Sequence, residues 1–155
     1  ASIDVDDPVF SSMGDMSRKI EQQCKVSGQN IPSSKNESIR TALEGLALKY
    51  RQVLENLRSQ TGKPLEQIHI VGGGTKNELL NQMTADSTGC DIIAGPIEAT
   101  SVGNILVQMI ATGEISSLAE GRELVRKSFE PKRYQPHHSD QWEEAYQTMR
   151  SLNQA

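Results

Sequence analysis

Aromatic residues, cysteines and long apolar runs are all scarce in this chain of 155 residues. Only 4% of the residues are aromatic, so a hydrophobic core must be built from aliphatic side chains. No stretch approaches the roughly 20 apolar residues that a membrane-spanning helix requires. We therefore expect neither a membrane span nor a secretory leader, and we expect a soluble, cytoplasmic protein.

Positive charge is not concentrated anywhere in the chain. The 16 lysines and arginines are outnumbered by 20 acidic residues, which gives a net charge of −4. Nucleic-acid binding depends on a basic patch, so no nucleic-acid partner is expected. Cys24 and Cys90 form neither a CxxC pair nor a metal-like spacing with a histidine, and we expect two reduced, buried thiols.

Helical periodicity dominates the sequence. Asp15 predicts the cap of a helix over about 16–26, and the longest apolar stripe predicts a helix over about 34–60. Further helices are predicted over about 77–89, 98–111, 118–129 and 140–152. The helix that follows Glu98 is nearly apolar on all sides, so we expect it to be buried.

Two short segments rich in β-branched residues, Ile68–Val71 and Asp91–Ala94, predict strands. Strands that alternate with helices indicate a parallel sheet covered by helices. Two short strands do not form a stable sheet alone, so further strands must lie upstream of this chain. The predicted class is α/β: a helix-rich, partial lobe whose short parallel sheet lacks its upstream strands.

The most informative stretch leads from the first strand through Gly72, Gly73 and Gly74 to Asn77 at a helix start. Glycines leave the backbone open to a ligand, and the helix start offers unpaired N–H groups. The Asn77 amide both donates and accepts hydrogen bonds. The motif is neither GxGxxG nor a Walker A loop, because the third glycine and the GK[ST] sequence are missing. From these residues alone, a ligand site and a plain tight turn both stay open.

A second motif, GPIEATSVGN at residues 95–104, lies one strand further along the chain. Together with IVGGGTKNELLNQMTADSTG at 70–89, it resembles the C-terminal part of the FGGY carbohydrate kinases. Four shorter segments also match the family: IDVDDPVF (3–10), GLALKYR (45–51), FEP (129–131) and YQP (134–136). The resemblance therefore covers essentially the whole chain.

This resemblance implies an actin-like, ribonuclease-H-like kinase with ATP in the cleft between two lobes. Residues 1–155 would then be the C-terminal part of the nucleotide-binding domain, without the N-terminal sugar-binding lobe. Gly73 and Asn77 match the family positions that contact adenosine, and Gly72 and Gly74 complete the turn. The implied cofactors are ATP and Mg²⁺, and the implied substrate is a small sugar whose identity no motif here specifies.

Nothing in the sequence matches the rest of a phosphoryl-transfer site. That reaction needs Mg²⁺ ligands, a carboxylate beside the attacking hydroxyl and donors around the phosphates. We therefore expect no catalytic residue and no metal ligand in this chain, which would be inactive without its N-terminal lobe. Its open strand edges and apolar helix predict self-association.

Two functional classes other than a kinase share parts of this pattern. A non-catalytic, actin-like interaction module would keep the fold but not the reaction, and ATP binding by the longer protein would separate the two. A dinucleotide-binding oxidoreductase fragment is disfavoured, because the third motif glycine and a ribose-binding acid are both absent.

The remaining candidate side chains are interpreted as structural. His69 lies inside an apolar strand, which predicts a buried histidine. Asp86 and Asp91 flank the second strand and are expected to be solvated helix-end or loop residues. Adjacent histidines at 137 and 138, near Asp140, are poorly placed to bind one metal ion together. One stripe of the last helix is expected to pack rather than to bind: Trp142, Tyr146 and Met149.

Overall fold

The computed structural model describes residues 1–137 and 139–152. Within them the helices are α1 (Pro8–Ser11), α2 (Met16–Val26), α3 (Lys35–Thr61), α4 (Glu78–Thr88), α5 (Ala99–Ala111), α6 (Leu118–Ser128) and α7 (Ser139–Leu152). A 3-10 helix covers Gly72–Lys76, and the strands are β1 (Gln67–Ile70), β2 (Asp91–Ala94) and β3 (Lys132–Tyr134). All six predicted helices are present, with ends within one residue of the prediction. The single turn of α1 lies in a segment for which no helix was predicted.

Capping residues explain why the helix ends were predictable. The Asp15 side chain accepts a hydrogen bond from the Ser17 N–H at 3.0 Å at the start of α2. Ser34 does the same for the Glu37 N–H at 3.2 Å at the start of α3. Gly62 ends α3 in the left-handed conformation, with φ of 65°. These local bonds satisfy backbone groups that a helix end leaves unpaired.

The sheet has three strands in the order β1-β2-β3. β1 and β2 are parallel, with Ile68 opposite Ile92, and β3 is antiparallel to β2, with Tyr134 also opposite Ile92. The helix-rich α/β class is thus confirmed, but the sheet is mixed rather than purely parallel. β3 was not predicted because its three residues, Lys-Arg-Tyr, are too few to show alternation. Among the described residues the outer edge of β1 has no partner strand.

The core is divided between the sheet and the helices. Beneath the sheet, Ala85 of α4 packs with Ile92, Ala94 and Tyr134. A second cluster joins α2 to the N-terminal segment and includes the fully buried Cys24. Cys90 is also buried, and both cysteines are free thiols, as predicted. No helix in the described ranges is both long and apolar enough to cross a membrane.

The long helix α3 and the last helix α7 are held together by packing and by one arginine. Tyr146 and Met149 pack on Leu48, with Trp142 against the same cluster, as their helical stripe predicts. The Arg51 guanidinium lies 4.2 Å from the centre of the Tyr146 ring and also forms an ion pair with the Glu143 carboxylate. Burial, together with a hydrogen bond to the Glu55 carboxylate, raises the pKa of Tyr146 to about 12.

The predicted burial of α5 is wrong for this chain. Only Leu106 of that helix is buried, whereas Ile105 and Val107 are 55% and 63% exposed. The helix packs against α6, where Leu106 approaches Gly121, and its remaining faces have few neighbours. Its apolar composition indicates surfaces that favour burial, but the described residues do not supply enough partners to cover them.

The predicted burial of His69 is also wrong. Exposure alternates along β1, so that Ile68 and Ile70 pack towards the core while His69 is exposed. A buried histidine was expected because its neighbours in the strand are apolar. That pattern does not reveal that one face of the sheet is only partly covered.

The surroundings of two helical glycines predict opposite changes in the free energy of unfolding when each is replaced by alanine. A Cβ on Gly45 would lie 2.9 Å from Cγ1 and 3.0 Å from the carbonyl oxygen of Ile3, whereas one on Gly103 would meet nothing within 4 Å. Gly45→Ala should lower the free energy of unfolding by about 1–2 kcal/mol, because overpacking outweighs better helix propensity. Gly103→Ala should raise it by about 0.5–1 kcal/mol. Urea denaturation followed by circular dichroism measures both, and equal shifts of one sign would contradict this packing.

Candidate functional site

The glycine triplet forms the turn that connects β1 to α4. After Val71, residues Gly72–Lys76 make a single 3-10 helix, and Asn77 then caps α4. Gly72 has φ of +77°, a left-handed conformation that side chains with a Cβ rarely adopt. The first glycine is therefore required by the shape of the turn itself.

The turn is bonded to the second motif. The Gly95 N–H donates to the Ile70 carbonyl at 2.9 Å, and the Gly72 N–H donates to the Pro96 carbonyl at 3.1 Å. The two motifs predicted from sequence therefore lie side by side at the carboxyl ends of two parallel strands. This is the edge of the sheet at which α/β proteins usually bind ligands.

The middle of the turn is open. A Cβ built on Gly73 would meet no heavy atom within 4 Å, and one on Gly74 would meet only Cγ2 of Ile70, at 3.6 Å. Gly73 and Gly74 are both exposed. Among the residues that the structure describes, no side chain plugs the turn, so its backbone is accessible to a flat ligand.

Asn77 uses one half of its amide to cap the helix. Its Oδ1 accepts a hydrogen bond from the Leu80 N–H at 3.1 Å. Its Nδ2 makes no hydrogen bond to any residue that the structure describes, and the side chain is exposed. The residue thus fixes the start of α4 and still has a donor available beside the open glycines.

Two buried polar residues support the turn from beneath, and the sequence pattern singles out neither of them. Thr75 is 9% exposed and its hydroxyl donates to the Gly72 carbonyl at 2.7 Å. Asn81 is 1% exposed and its Nδ2 donates to the Thr75 carbonyl at 3.0 Å. The available signal was an asparagine one turn inside a helix, where its propensity is poor.

An ion pair lies next to the start of α4. The Lys132 ammonium is 2.7 Å from a carboxylate oxygen of Glu78, and this hydrogen bond is the main reason that the pKa of Lys132 is raised. Both side chains are more than half exposed, so the pair contributes little to stability. Its two charges largely offset each other beside the start of α4.

An open groove of about 670 Å³ adjoins the turn at Val71 and Pro96. It is lined by Ile93 of β2, by Val125 of α6 and by Phe129, the residue that follows α6. The glycine turn therefore borders a concave surface at the ends of the strands. Pockets of this size accommodate small molecules.

The other candidate side chains lie away from the turn or have structural partners. Asp91 is opposite Gln67 at the amino ends of the strands. Asp86 is half-buried and accepts hydrogen bonds from the His137 N–H and from Gln82 Nε2, so it anchors the segment after β3 instead of being merely solvated. Residue 138 lies outside the described part of the chain. Within that part, no group of three or more His, Cys, Asp or Glu residues is arranged to hold a metal ion.

Comparison with known proteins identifies the family. The profile for the C-terminal domain of the FGGY family of carbohydrate kinases matches residues 6–112. This chain therefore belongs to the FGGY family of carbohydrate kinases.

Rhamnulokinases are among the relatives of this chain. A rhamnulokinase from Bacteroides thetaiotaomicron is 42% identical over 144 residues, which cover 93% of this chain and 30% of the relative. A rhamnulokinase from Bacillus subtilis is 41% identical over 134 residues, which cover 86% and 28%. The chain thus spans less than a third of the length of these curated relatives.

Solved structures support the fold. A ligand-bound xylulose kinase from Lactobacillus acidophilus matches with a TM-score of 0.63 at 19% identity, over 78% of this chain and 24% of that one. At this identity the likeness establishes the fold alone, which is that of part of an FGGY kinase lobe.

The geometry of the turn predicts that alanine substitutions at Gly72 and Gly73 change stability by different amounts. Gly72→Ala should lower the free energy of unfolding by about 1–2 kcal/mol, because alanine is strained at this positive φ. Gly73→Ala should change it by less than about 0.5 kcal/mol, because the added methyl group points into open space. Urea denaturation of the two variants tests the difference, and equal losses would show that the turn has another shape.

Proposed function

We propose that this chain is the adenosine-binding part of a rhamnulokinase-like enzyme. The complete kinase would transfer the γ-phosphoryl group of ATP to L-rhamnulose, giving L-rhamnulose 1-phosphate and ADP, in the cytoplasm. The observation that carries the nucleotide role is the open glycine turn with Asn77 at its end, bonded to the second motif. The sugar is proposed from the names of the relatives that are about 40% identical.

The residues of the turn fit the adenosine portion of ATP. Gly73 leaves room for close approach to the backbone, and Nδ2 of Asn77 offers a donor to a nucleoside oxygen or nitrogen. ATP supplies the phosphoryl group that is transferred. The described residues provide no metal cluster, so we assign the Mg²⁺ ligands to the phosphates of ATP and to the rest of the enzyme.

The missing parts of the site are assigned to a longer polypeptide. The relatives are more than three times as long as the segment that they share with this chain. We propose that residues 1–155 form the C-terminal part of the nucleotide-binding domain, and that the N-terminal lobe brings the sugar site and the catalytic carboxylate. On this proposal the isolated chain does not phosphorylate a sugar.

The same division explains the exposed apolar surface. The outer edge of β1 is unpaired within the described residues, and Ile105 and Val107 of α5 are exposed. We propose that the upstream part of the enzyme covers these surfaces, and that copies of the isolated chain cover them for one another.

Changes at Asn77 test the nucleotide role in the full-length kinase. Asn77→Ala should weaken ATP binding by about 1–3 kcal/mol, because the donor to the nucleoside is lost. The same change removes the helix cap, at a cost of about 1 kcal/mol in stability. Asn77→Ser is the control, since it keeps a capping oxygen but not the amide.

Isothermal titration calorimetry with ATP, alongside thermal unfolding, reads out both effects. Asn77→Ser should be nearly as stable as the parent and yet bind ATP less tightly. ATP affinity that stays at the parental value in both variants would reject the nucleotide role of Asn77.

Sedimentation velocity tests the proposed covering of the exposed surfaces. The isolated chain should form dimers or larger species whose population rises with concentration, because apolar surface is buried on association. Ile105→Lys should shift the distribution towards monomer, whereas Ser101→Lys on the same helix should do so less. A stable, monomeric chain at all concentrations would contradict the proposal.

A further inference from the structure

We infer that Asn81 and Thr75 are positioning residues for the nucleotide: they hold the glycine turn in its binding shape before ATP arrives. The inference rests on the proposed function, because it assigns a role to residues that support the same turn. Neither side chain faces the open side of the turn where Gly73 is exposed, so we assign neither a direct contact with ATP.

The first tie lies within the turn. The Thr75 hydroxyl donates to the Gly72 carbonyl at 2.7 Å, and the side chain is almost completely buried. This bond links the buried end of the 3-10 helix to the residue with φ of +77°. The Gly72 N–H is bonded at the same time to the Pro96 carbonyl. Both polar groups of the Gly72 backbone are therefore fixed by the chain itself.

The second tie comes from α4. Asn81 lies one helical turn after the cap, is 1% exposed, and donates from Nδ2 to the Thr75 carbonyl at 3.0 Å. The last carbonyls of a short helix have no partner within it, so this side chain satisfies one of them. The helix α4 is thereby hydrogen-bonded to the end of the turn at Thr75.

These two hydrogen bonds matter because a backbone of three consecutive glycines is otherwise flexible. Glycine loses more backbone freedom on ordering than any other residue, so an untied turn would have to be ordered by the ligand. A turn that already has its bound shape avoids this ordering cost on binding. Loss of a tie should therefore weaken ATP binding without removing any atom that touches ATP.

A purely structural role for Asn81 predicts a different outcome. α4 is also anchored by Ser87, whose hydroxyl donates to the Ala47 carbonyl of α3 at 2.9 Å and which is 3% exposed. Asn81 and Ser87 therefore make the same kind of buried bond from the same helix to a main-chain carbonyl. Only the bond of Asn81 reaches the glycine turn, which makes Ser87 a matched control.

The test uses three variants of the full-length kinase: Asn81→Ala, Thr75→Val and Ser87→Ala. Isothermal titration calorimetry gives the Kd for ATP, steady-state kinetics gives KM for ATP and for the sugar, and thermal unfolding gives stability. Asn81→Ala and Thr75→Val should each raise the Kd and KM for ATP about tenfold, with KM for the sugar unchanged. Ser87→Ala should lower the unfolding temperature and leave ATP binding within about twofold.

The outcomes distinguish failure of the positioning role from failure of the proposed nucleotide site. ATP affinity that is unchanged in both Asn81→Ala and Thr75→Val, but reduced by Asn77→Ser, would overturn the positioning role and leave the nucleotide site in place. Unchanged affinity in all of these variants would overturn the proposed site itself. A tenfold loss in Ser87→Ala as well would show that affinity merely follows stability, and would also overturn the inference.

Discussion

Two backbone hydrogen bonds at the carboxyl ends of β1 and β2 determine where the parts of the site lie. Gly95 donates to Ile70 and Gly72 donates to Pro96, so the segments that leave the two strands are joined immediately after the sheet ends. The segments that lead into α4 and α5 therefore begin side by side. Close contact of this kind requires glycine, because the backbone at Gly95 and Gly72 has positive φ.

The elements of the fold were largely predictable because their signals are local. Asp15, Ser34, Gly62 and Asn77 mark helix ends through bonds to residues two to four positions away. Burial was less predictable because it depends on distant partners. The apolar sequence of α5 indicates that the helix favours contact on every side, but it cannot show whether the contacting surface belongs to this chain. β3 is ordered by its pairing with β2, and three residues carry no periodic signal of it.

The candidate site divides in the same way. The glycines and Asn77 form a contiguous motif whose chemistry follows from residue type and order, so sequence suffices to single them out. Asn81 and Thr75 became evident only from the structure, because they are marked by two hydrogen bonds, one within the turn and one from α4 to the turn that precedes it. A buried asparagine and a buried threonine have no distinctive pattern in a sequence until the burial of their positions is known.

The contact between α3 and α7 places residues beyond the profile match in the core of the fold. The segment shared with the family profile ends at residue 112, yet Leu48 is covered by Tyr146 and Met149 from beyond that point. A polypeptide trimmed to the segment that the profile matches would leave Leu48 in water and deprive Arg51 of its aromatic partner. The folded unit therefore extends beyond the profile match, as does the alignment with the Bacteroides thetaiotaomicron relative over 144 residues. The last helix is part of the scaffold that carries the glycine turn.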